Sequence, residues 1–383
     1  MMKVDRRTFL KIAGVSATTM SVAGLSKKSK AAEMPGAKTY KKICVEEHFS
    51  TPEHMDLLRS ILEKKYPSPE VLQQEKYMLS DAPFLGRPPS NPLTQKRLSR
   101  LYDVGKARIE EMDKFKIDIQ VVSLVCPGVQ VFEPAVALKL AKKFNNHLAA
   151  LIKEYPKRFF GLTCLAPQVP EAAADELERG VRDLKFKGGI INSHTKGEYL
   201  DNKKYWVIFE RAQKLGVPIY LHPRSPSPDM MKPYLGYPML DSAMWGFGAE
   251  AGLHAMRLIC SGVFDEYPKV KIILGHLGEN IPFQLSRIDD RWAAGISSGG
   301  ATKLKKLPGQ YFRDNFVVNT SGMFSHPALA LTLSVLGADS IMFAVDYPME
   351  DPEEAISFMN TAPISDEDKE KIYHLNAERV FSL

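Results

Sequence analysis

The 383-residue sequence has few cysteines, and none of them form a pair at a spacing typical of metal or redox sites. Three of the four lie within strongly apolar runs. This spacing provides neither a disulfide framework nor a C-x-x-C motif, so buried free thiols are the expected state. The four residues are Cys44, Cys126, Cys164 and Cys260.

The sequence also lacks a convincing membrane span. Its uncharged run from Ile12 to Leu25 is rich in Ser, Thr and Gly and is shorter than the roughly 20 apolar residues that a span needs. The run follows Arg6-Arg7 and precedes Ala31-Ala32, which is the order of regions in a secretory signal peptide. Paired arginines indicate the twin-arginine type.

We therefore predict that residues 1–32 are a twin-arginine-type leader and that residues 33–383 form one domain. The mature chain would have no membrane span and would be periplasmic or otherwise extracytoplasmic. The leader carries seven basic residues and one acidic residue, which accounts for the whole formal net charge of +6. The mature chain is close to neutral, so its charge does not indicate nucleic acid or an anionic membrane as a partner.

From residue 40 onward, short runs rich in Val and Ile alternate with segments of helical periodicity. This pattern is typical of a parallel sheet covered by helices, and it predicts an α/β fold of the (β/α)8 barrel type. The predicted strands are Lys42–Val45, Ile119–Leu124, Phe159–Leu165, Gly189–Ile191, Pro218–Leu221, Val270–Leu274, Phe316–Asn319 and Ile341–Val345. The predicted helices include Glu133–Glu154, Val169–Leu184, Lys203–Lys214, Gly248–Phe264 and His326–Leu336.

Two stretches interrupt the alternation. Tyr66–Tyr102 is rich in proline and long for a connection, so we predict an inserted irregular segment, a lid or interface, near the barrel mouth. His222–Met244 holds five prolines and predicts a loop that shapes the substrate site.

Polar residues stand at the carboxyl ends of several predicted strands, where barrel enzymes place their chemistry. Glu46 and His48 end the first strand, and the two-residue period of a strand puts them on one side, with Glu47 facing away. His222, His276 and Asp346 each directly follow an apolar strand. Any one of them alone could be a satisfied core polar group. Together they predict a divalent metal site, since mixed nitrogen and oxygen ligands suit Zn or Mn.

The sequence resembles the amidohydrolase superfamily, and within it the branch of metal-dependent, non-oxidative aromatic acid decarboxylases. That branch includes γ-resorcylate, 2,3-dihydroxybenzoate and 5-carboxyvanillate decarboxylases. The motifs that carry the resemblance are Val45-Glu46-Glu47-His48-Phe49, Ser193-His194-Thr195-Lys196-Gly197, Leu221-His222-Pro223, Trp245-Gly246-Phe247-Gly248, Gly275-His276-Leu277-Gly278-Glu279, Arg287-Ile288-Asp289 and Asp346-Tyr347-Pro348.

The resemblance implies a role for each matching residue. The metal would be bound by Glu46, His48, His222 and Asp346. His276, with Glu279 behind it, would lie beside the metal-bound ligand. Arg287, His254 and Tyr347 would contact the substrate, together with Glu279. Many hydrolytic members hold two metals through a carboxylated lysine on the fourth strand, but that strand ends here in Ile191-Asn192-Ser193-His194. A single metal ion per chain, Mn or Zn, is therefore expected.

The implied reaction is decarboxylation of a small hydroxylated aromatic carboxylic acid. Asp346 is the candidate acid that protonates the ring carbon, His276 could supply or relay the proton, and Arg287 could compensate the anionic substrate. A homodimer or homotetramer is implied as well, because relatives build part of the site mouth across subunits.

Two other functions stay open. A hydrolase of a lactone, ester or amide would use the same metal ligands, with Asp346 as the base. Export favours this alternative, while Arg287, His254 and the Asp346-Tyr347 pair favour decarboxylation. A non-catalytic barrel that binds an aromatic acid or a metal is the third possibility, and the intact Asp346 argues against it.

Overall fold

The computed structural model describes residues 38–65, 67–79, 91–237, 239–300 and 304–383. The predicted leader, residues 1–32, lies outside this part of the chain. Tyr40–Leu383 forms one compact unit. No helix within the described ranges combines the length and apolar character that a membrane crossing requires.

The described residues contain nine strands. The first three pair in parallel in sequence order, and so do the last six, while the third and fourth strands are not paired with each other. Each predicted strand is present, but the third is divided at Leu162 into two short strands. The strands are β1 (Ile43–Phe49), β2 (Ile119–Leu124), β3 (Phe159–Gly161), β4 (Thr163–Cys164), β5 (Gly189–Asn192), β6 (Ile219–His222), β7 (Ile272–Leu274), β8 (Phe316–Asn319) and β9 (Ile341–Met342).

Backbone hydrogen bonds at two seams close the strands into a ring. Between β2 and the break after β3, Leu162 N donates to Val122 O at 3.0 Å. At the other seam, Val45 N donates to Phe343 O at 3.1 Å and Asp346 N donates to Glu46 O at 3.0 Å. The first strand thus pairs with the chain that follows the last strand, and the predicted (β/α)8 barrel is confirmed.

Apolar side chains fill the inside of the barrel. Ile43, Val45, Val121 and Ala344 belong to a buried cluster that is separate from the larger core between the strands and the surrounding helices. Phe381 of the last helix joins the same inner cluster. The barrel is therefore a packed core rather than a pore, as is usual for this fold.

Helices surround the strands, and many begin with a proline in the first turn, where its missing N–H costs no hydrogen bond. The helices are α1 (Pro52–Glu63), α2 (Pro69–Met78), α3 (Pro92–Tyr102), α4 (Lys106–Phe115), α5 (Pro134–Glu154), α6 (Pro170–Arg182), α7 (Trp206–Leu215), α8 (Gly246–Ser261), α9 (Val263–Glu266), α10 (Ile281–Ser297), α11 (Pro308–Asn315), α12 (His326–Leu336), α13 (Pro352–Thr361), α14 (Asp366–Glu370) and α15 (Asn376–Phe381). A π-helical turn, Lys371–Leu375, joins the last two, and short 3-10 turns lie at Lys203–Tyr205, Pro228–Met230, Lys232–Tyr234 and Ala338–Ser340.

The inserted segment is more regular than predicted. Its described parts form α2 and α3, so the expectation of an irregular chain is wrong for these two stretches. Pro69 and Pro92 stand in the first turns of these two helices, where a proline is tolerated. Each also follows a capping residue, Ser68 or Asn91, whose side chain accepts a backbone N–H of that turn.

A buried arginine ties the insert to the barrel mouth. The Arg224 guanidinium lies two residues after β6 and donates to Met78 O, at the end of α2, at 2.7 Å. It also donates to His194 O, beyond β5, at 3.1 Å. A cation at the carboxyl end of a helix is a favourable partner for its exposed carbonyls, so α2 is held beside the loops that follow β5 and β6.

Candidate active site

Four predicted ligands come together at the carboxyl ends of the strands. Glu46 and His48 lie on β1, His222 ends β6, and Asp346 follows β9. Each offers one ligand atom, and these four atoms all lie within 4.8 Å of one another. Residues from the first, middle and last strands are thus placed within reach of one ion.

A bulge in β1 gives Glu46 its direction. Between Cys44 and Glu47 the register against β2 shifts by one residue, so that β1 carries an extra residue there. Val45 packs in the inner apolar cluster, yet Glu46, the next residue, also faces the inside. Bulges commonly redirect side chains beside active sites. This bulge allows two consecutive residues, Val45 of the inner apolar cluster and the metal ligand Glu46, to face the inside of the barrel.

The distances fit a shared cation. His48 Nε2 lies 3.2 Å from Asp346 Oδ1, and His222 Nε2 lies 3.4 Å from Glu46 Oε1. Glu46 Oε1 and His48 Nε2 are both buried without a hydrogen-bond partner among the described residues. Buried polar atoms are normally paired, so two such atoms aimed at one point indicate that an ion supplies the missing interaction.

The electrostatics of the ligands also suit a metal. Burial lowers the pKa of His222 well below its ordinary value, so its imidazole is neutral and can donate a lone pair. Burial alone would raise the pKa of Asp346. The imidazoles of His276 and His48 outweigh burial, however, and hold the pKa of this carboxyl below its usual range.

His276 lies beside the four ligands rather than among them. Its Nδ1 lies 2.7 Å from Glu279 Oε1, and its Nε2 lies 4.0 Å from Asp346 Oδ2. Burial lowers the pKa of His276, but the carboxylates of Glu279 and Glu46 outweigh this effect and raise the pKa well above its ordinary value. Glu279 thus orients His276, whose surroundings favour the protonated imidazole, with Nε2 facing Oδ2 of Asp346.

A family model with the description "Amidohydrolase" matches residues 105–383. The chain belongs to the amidohydrolase family. It is 36% identical to the γ-resorcylate decarboxylase of Polaromonas sp. strain JS666 over 350 residues, which is 89% of this chain and 98% of that relative.

Solved structures extend this similarity. The 5-carboxyvanillate decarboxylase of Sphingomonas paucimobilis superposes with a TM-score of 0.81 at 38% identity, covering 90% of this chain and all of that one. The 5-carboxyvanillate decarboxylase of Novosphingobium aromaticivorans, solved with manganese and 4-hydroxy-3-methoxy-5-nitrobenzoic acid, gives a TM-score of 0.84 at 37% identity. In that case 90% of this chain and 96% of the other are covered.

Two residues expected to contact substrate in this amidohydrolase are engaged elsewhere. His254 is fully buried, its Nδ1 lies 3.1 Å from Ser193 Oγ, and its Nε2 accepts from Leu200 N at 2.9 Å. Burial lowers the pKa of His254 to about 3. It is therefore a neutral structural histidine, and both of its ring nitrogens contact groups within the protein.

Tyr347 is likewise placed away from the ligand group. Its hydroxyl donates to Glu111 at 2.8 Å, and the Arg108 guanidinium stacks on its ring at 4.6 Å. The ring is 2% exposed. Its neighbours are thus α4 and the outer side of β1, and not the space in front of the metal ligands.

Glu279 lies next to the ligand group, whereas Arg287 lies away from it. Glu279 lies behind His276, as expected, and its oxygen is used in that contact. Arg287 is exposed on α10, four residues after Phe283, whose ring is 76% exposed. Within one chain, Arg287 therefore lies on an outer surface and not in the ligand group.

Three residues that were not predicted from the sequence surround Glu46. Tyr220 and Ser321 both donate to Glu46 Oε2, and Asn319 contacts both of them. A signal for two of them was present, because Asn319-Thr320-Ser321 is a polar strand end like the others. Tyr220 stands inside the apolar run of β6, where no pattern separates it from a core tyrosine.

Glu350 was also missed. Its backbone N donates to Asp346 O at 3.1 Å, and its side chain is partly buried beside the ligand group. Burial, and then the charge of Asp346, raise the pKa of Glu350 to about 7. The mouth of the site therefore carries a second carboxyl near Asp346.

Proposed function

We propose that this chain is a metal-dependent, non-oxidative decarboxylase of a hydroxylated benzoate-type acid. One observation carries the proposal: the two carboxylates and two imidazoles that converge at 4.8 Å or less lie in a chain similar to named decarboxylases over nearly their whole length. His276, oriented by Glu279 and lying beside Asp346, can supply the proton that such a reaction needs.

The ion would be held by Glu46, His48, His222 and Asp346. Manganese fits this mixed donor set, and manganese is bound in solved relatives. When bound, the metal would serve as a Lewis acid and as a template for the substrate carboxylate and the neighbouring phenolic oxygen. The absence of lysine at the end of β5 supports one ion per chain.

The chain's own residues would move the proton. Asp346 is ionised in the free chain and receives a proton from His276 across the 4.0 Å that separates Nε2 from Oδ2. Asp346 then adds this proton to the ring carbon that bears the carboxylate. The bond between that carbon and the carboxyl carbon breaks, its electron pair restores the aromatic ring, and CO2 leaves. Since His276 is 20% exposed, solvent can reprotonate it.

The decisive experiment is a substrate panel. Manganese-loaded protein is mixed with mono- and dihydroxybenzoates, and CO2 release is measured beside the opening of lactones and esters. We expect CO2 from one or more ortho-hydroxybenzoates and no lactone or ester turnover. Hydrolysis without any CO2 release would favour the alternative of a hydrolase on the same metal ligands.

Asp346→Asn tests the acid. We expect the variant to bind a nitro analogue of the substrate and to lose turnover by at least about 100-fold, the contribution typical of a positioned acid. Metal content is measured in both proteins, so that loss of the ion is distinguished from loss of the proton. A metal-loaded variant with a near-normal rate would remove Asp346 from the role.

We further propose a homodimer or homotetramer in which α10 faces a second copy. Phe283 and Arg287 lie four residues apart, so they share one exposed face of the helix. Phe283 is 76% exposed, and aromatic residues are enriched at the cores of protein interfaces. Across such an interface Arg287 would reach the site mouth of the neighbouring subunit, which accounts for its distance from the ligands of its own chain.

Co-expression of two inactive variants tests this arrangement. If Arg287 acts on the neighbouring site, a mixture of Arg287→Ala and Asp346→Asn regains about a quarter of wild-type activity, because random pairing gives mixed dimers with one intact site. If Arg287 serves its own chain, mixing restores nothing. Phe283→Glu should reduce the molar mass measured by light scattering, and an unchanged mass would argue against this face.

Export by the twin-arginine leader is proposed on the sequence of residues 1–32, with residues 33–383 as the mature domain. Cell fractionation and mass spectrometry of the mature chain would test it. Replacing Arg6 and Arg7 with Lys should leave the protein in the cytoplasm at full length, whereas Lys3→Arg should not. Full-length wild-type protein found only in the cytoplasm would contradict the proposal.

A further inference from the structure

The two carboxylate oxygens of Glu46 have different surroundings. Oε2 accepts hydrogen bonds from the Tyr220 hydroxyl and the Ser321 hydroxyl. Oε1 is buried without a hydrogen-bond partner among the described residues and lies 3.4 Å from His222 Nε2. One oxygen is therefore saturated with donors, while the other is left for the ion.

Neighbouring groups fix the direction of both donors. Asn319 Nδ2 donates to the Tyr220 oxygen at 2.6 Å, so the proton of Tyr220 is left to point at Glu46. The Ser321 oxygen accepts from His276 N at 3.2 Å, which leaves its proton for Glu46 in the same way. Asn319 Oδ1 also accepts from Ser321 N at 3.0 Å, so one amide side chain contacts both residues whose hydroxyls donate to Glu46.

This cluster has no spare space. Tyr220, Asn319 and Ser321 are at most 1% exposed. A Cβ added at Gly275 would lie 2.9 Å from Glu46 Oε2 and 3.2 Å from Ser321 Oγ. The glutamate cannot rotate to exchange its oxygens without displacing buried neighbours, so the difference between Oε1 and Oε2 is built into the fold.

We infer that Tyr220, Ser321 and Asn319 are positioning residues that make Glu46 a one-oxygen metal ligand and so keep room for a substrate that binds through two oxygens. The inference rests on the proposed function. Manganese with oxygen-rich ligands generally takes six donors. Four protein atoms leave two positions, which an ortho-hydroxylated acid would fill with its carboxylate and phenolic oxygens. A second oxygen from Glu46 would take one of them.

The first test is the crystal structure of the manganese-loaded wild-type protein. We expect Glu46 Oε1 within coordination distance of the ion, with Oε2 bound only to Tyr220 and Ser321. Coordination through both oxygens, or through Oε2, would overturn the inference. This measurement requires no variant, so it does not depend on whether a substitution disturbs folding.

The second test compares two ligands on manganese-loaded Tyr220→Phe and Ser321→Ala. Binding of an ortho-hydroxylated aromatic acid is measured by calorimetry against the same acid without the hydroxyl. We expect the preference for the ortho-hydroxyl to fall at least tenfold, together with a change in the manganese EPR spectrum. A merely structural role would weaken both ligands equally and leave the ratio unchanged.

Tyr205→Phe is the matched control. Tyr205 is buried, and its hydroxyl also donates to a carboxylate, that of Glu198, but it does not touch Glu46. It should leave the ligand preference at the wild-type value, and an equal loss in the control would contradict the inference. Failure of the proposed function is separate: one-oxygen coordination by Glu46 with no decarboxylation of any benzoate would remove the function and leave the positioning role.

Discussion

Gly275 lies between β7 and His276, where the backbone passes directly over the Glu46 carboxylate. A methyl group at this position would lie 2.9 Å from Glu46 Oε2, a distance that ordinary Cβ contacts do not reach. The residue is therefore needed for the shape of the metal site rather than for a turn.

Gly275→Ala should move Glu46 and weaken manganese binding. Overpacking of this kind costs about 1–3 kcal/mol. If that cost falls on the metal-bound state, we expect at least about a fivefold loss of affinity, measured by metal titration. Gly300→Ala is a useful control for added side-chain volume, since its φ is not positive and its Cβ would meet no atom closer than 3.7 Å. Unchanged affinity in Gly275→Ala would show that Glu46 adapts.

Glu250 is the residue whose titration should affect stability near neutral pH. It is buried on α8, accepts hydrogen bonds from Ser193 and Tyr199 at 3.1 Å each, and burial raises its pKa to about 7. The folded state therefore favours the protonated form more than the unfolded state does. This contribution to stability is complete below the unfolded pKa near 4.5 and is lost as pH rises through about 7.

Glu250→Gln should remove this pH dependence. The free energy of unfolding of the variant minus that of wild type should be larger at pH 8 than at pH 5, by up to about 3 kcal/mol. Urea unfolding at the two pH values measures the difference. A constant difference between the two proteins would mean that Glu250 does not titrate in this range.

Among single residues, the metal ligands could be predicted from the sequence because they are polar residues at the ends of apolar strands. The same rule did not locate His254 or Tyr347, since their partners come from distant segments: Leu200 N for the first, and Arg108 and Glu111 for the second. No spacing in the sequence encodes such contacts.

Among the elements, β1 is stabilised on its outer side by Glu47. The buried Glu47 carboxylate accepts from Val345 N at 3.0 Å and from Tyr347 N at 3.2 Å, on the chain that follows β9. Arg108 lies nearby and donates from its guanidinium to His48 O at 2.6 Å. The seam between the first and last strands is thus held by a side chain as well as by backbone pairing.

Glu47→Ala should therefore destabilise the barrel. It leaves two buried backbone N–H groups, those of Val345 and Tyr347, without their acceptor, which costs about 3 kcal/mol or more. Urea unfolding measures the loss. Glu53→Ala, which removes an exposed contact with Lys143, should cost less than about 1 kcal/mol, and equal effects in the two variants would contradict this account.

Element by element, the strands were predictable because buried parallel strands read as short runs of Val and Ile. The division at Leu162 and the bulge after Cys44 were not predictable, because both depend on pairing with β2. Helices α2 and α3 were missed because prolines signal a helix start only in combination with the capping residue before them.

For the whole molecule, the barrel could be predicted because eight strand runs alternate with helical segments, and the family resemblance supports the same fold. The oligomeric assembly could not be predicted, because the exposure of Phe283 on α10 depends on which face of the helix the barrel covers. The sequence alone does not reveal that face. Nothing in the described residues bears on the leader.

Manganese should stabilise the folded chain, because Glu46, His48, His222 and Asp346 bring together three separate strands only in the folded state. At a free concentration about 100 times the dissociation constant, the gain is about 2.7 kcal/mol. Thermal unfolding with manganese and with a chelator measures it. Asp346→Asn should show a smaller shift, and no shift in wild type would argue against a site shared by these strands.

The two ligands on β1 and the one after β9 also set an order of events during synthesis. Glu46 and His48 are synthesised long before Asp346, so the complete ligand set exists only once the first strand has paired with the chain that follows the last one. If the chain is exported in folded form, as proposed, its site is complete before it crosses the membrane and can take up its ion in the compartment of synthesis. The metal it carries would then reflect the supply of the compartment in which it was made, and not of the one in which it works.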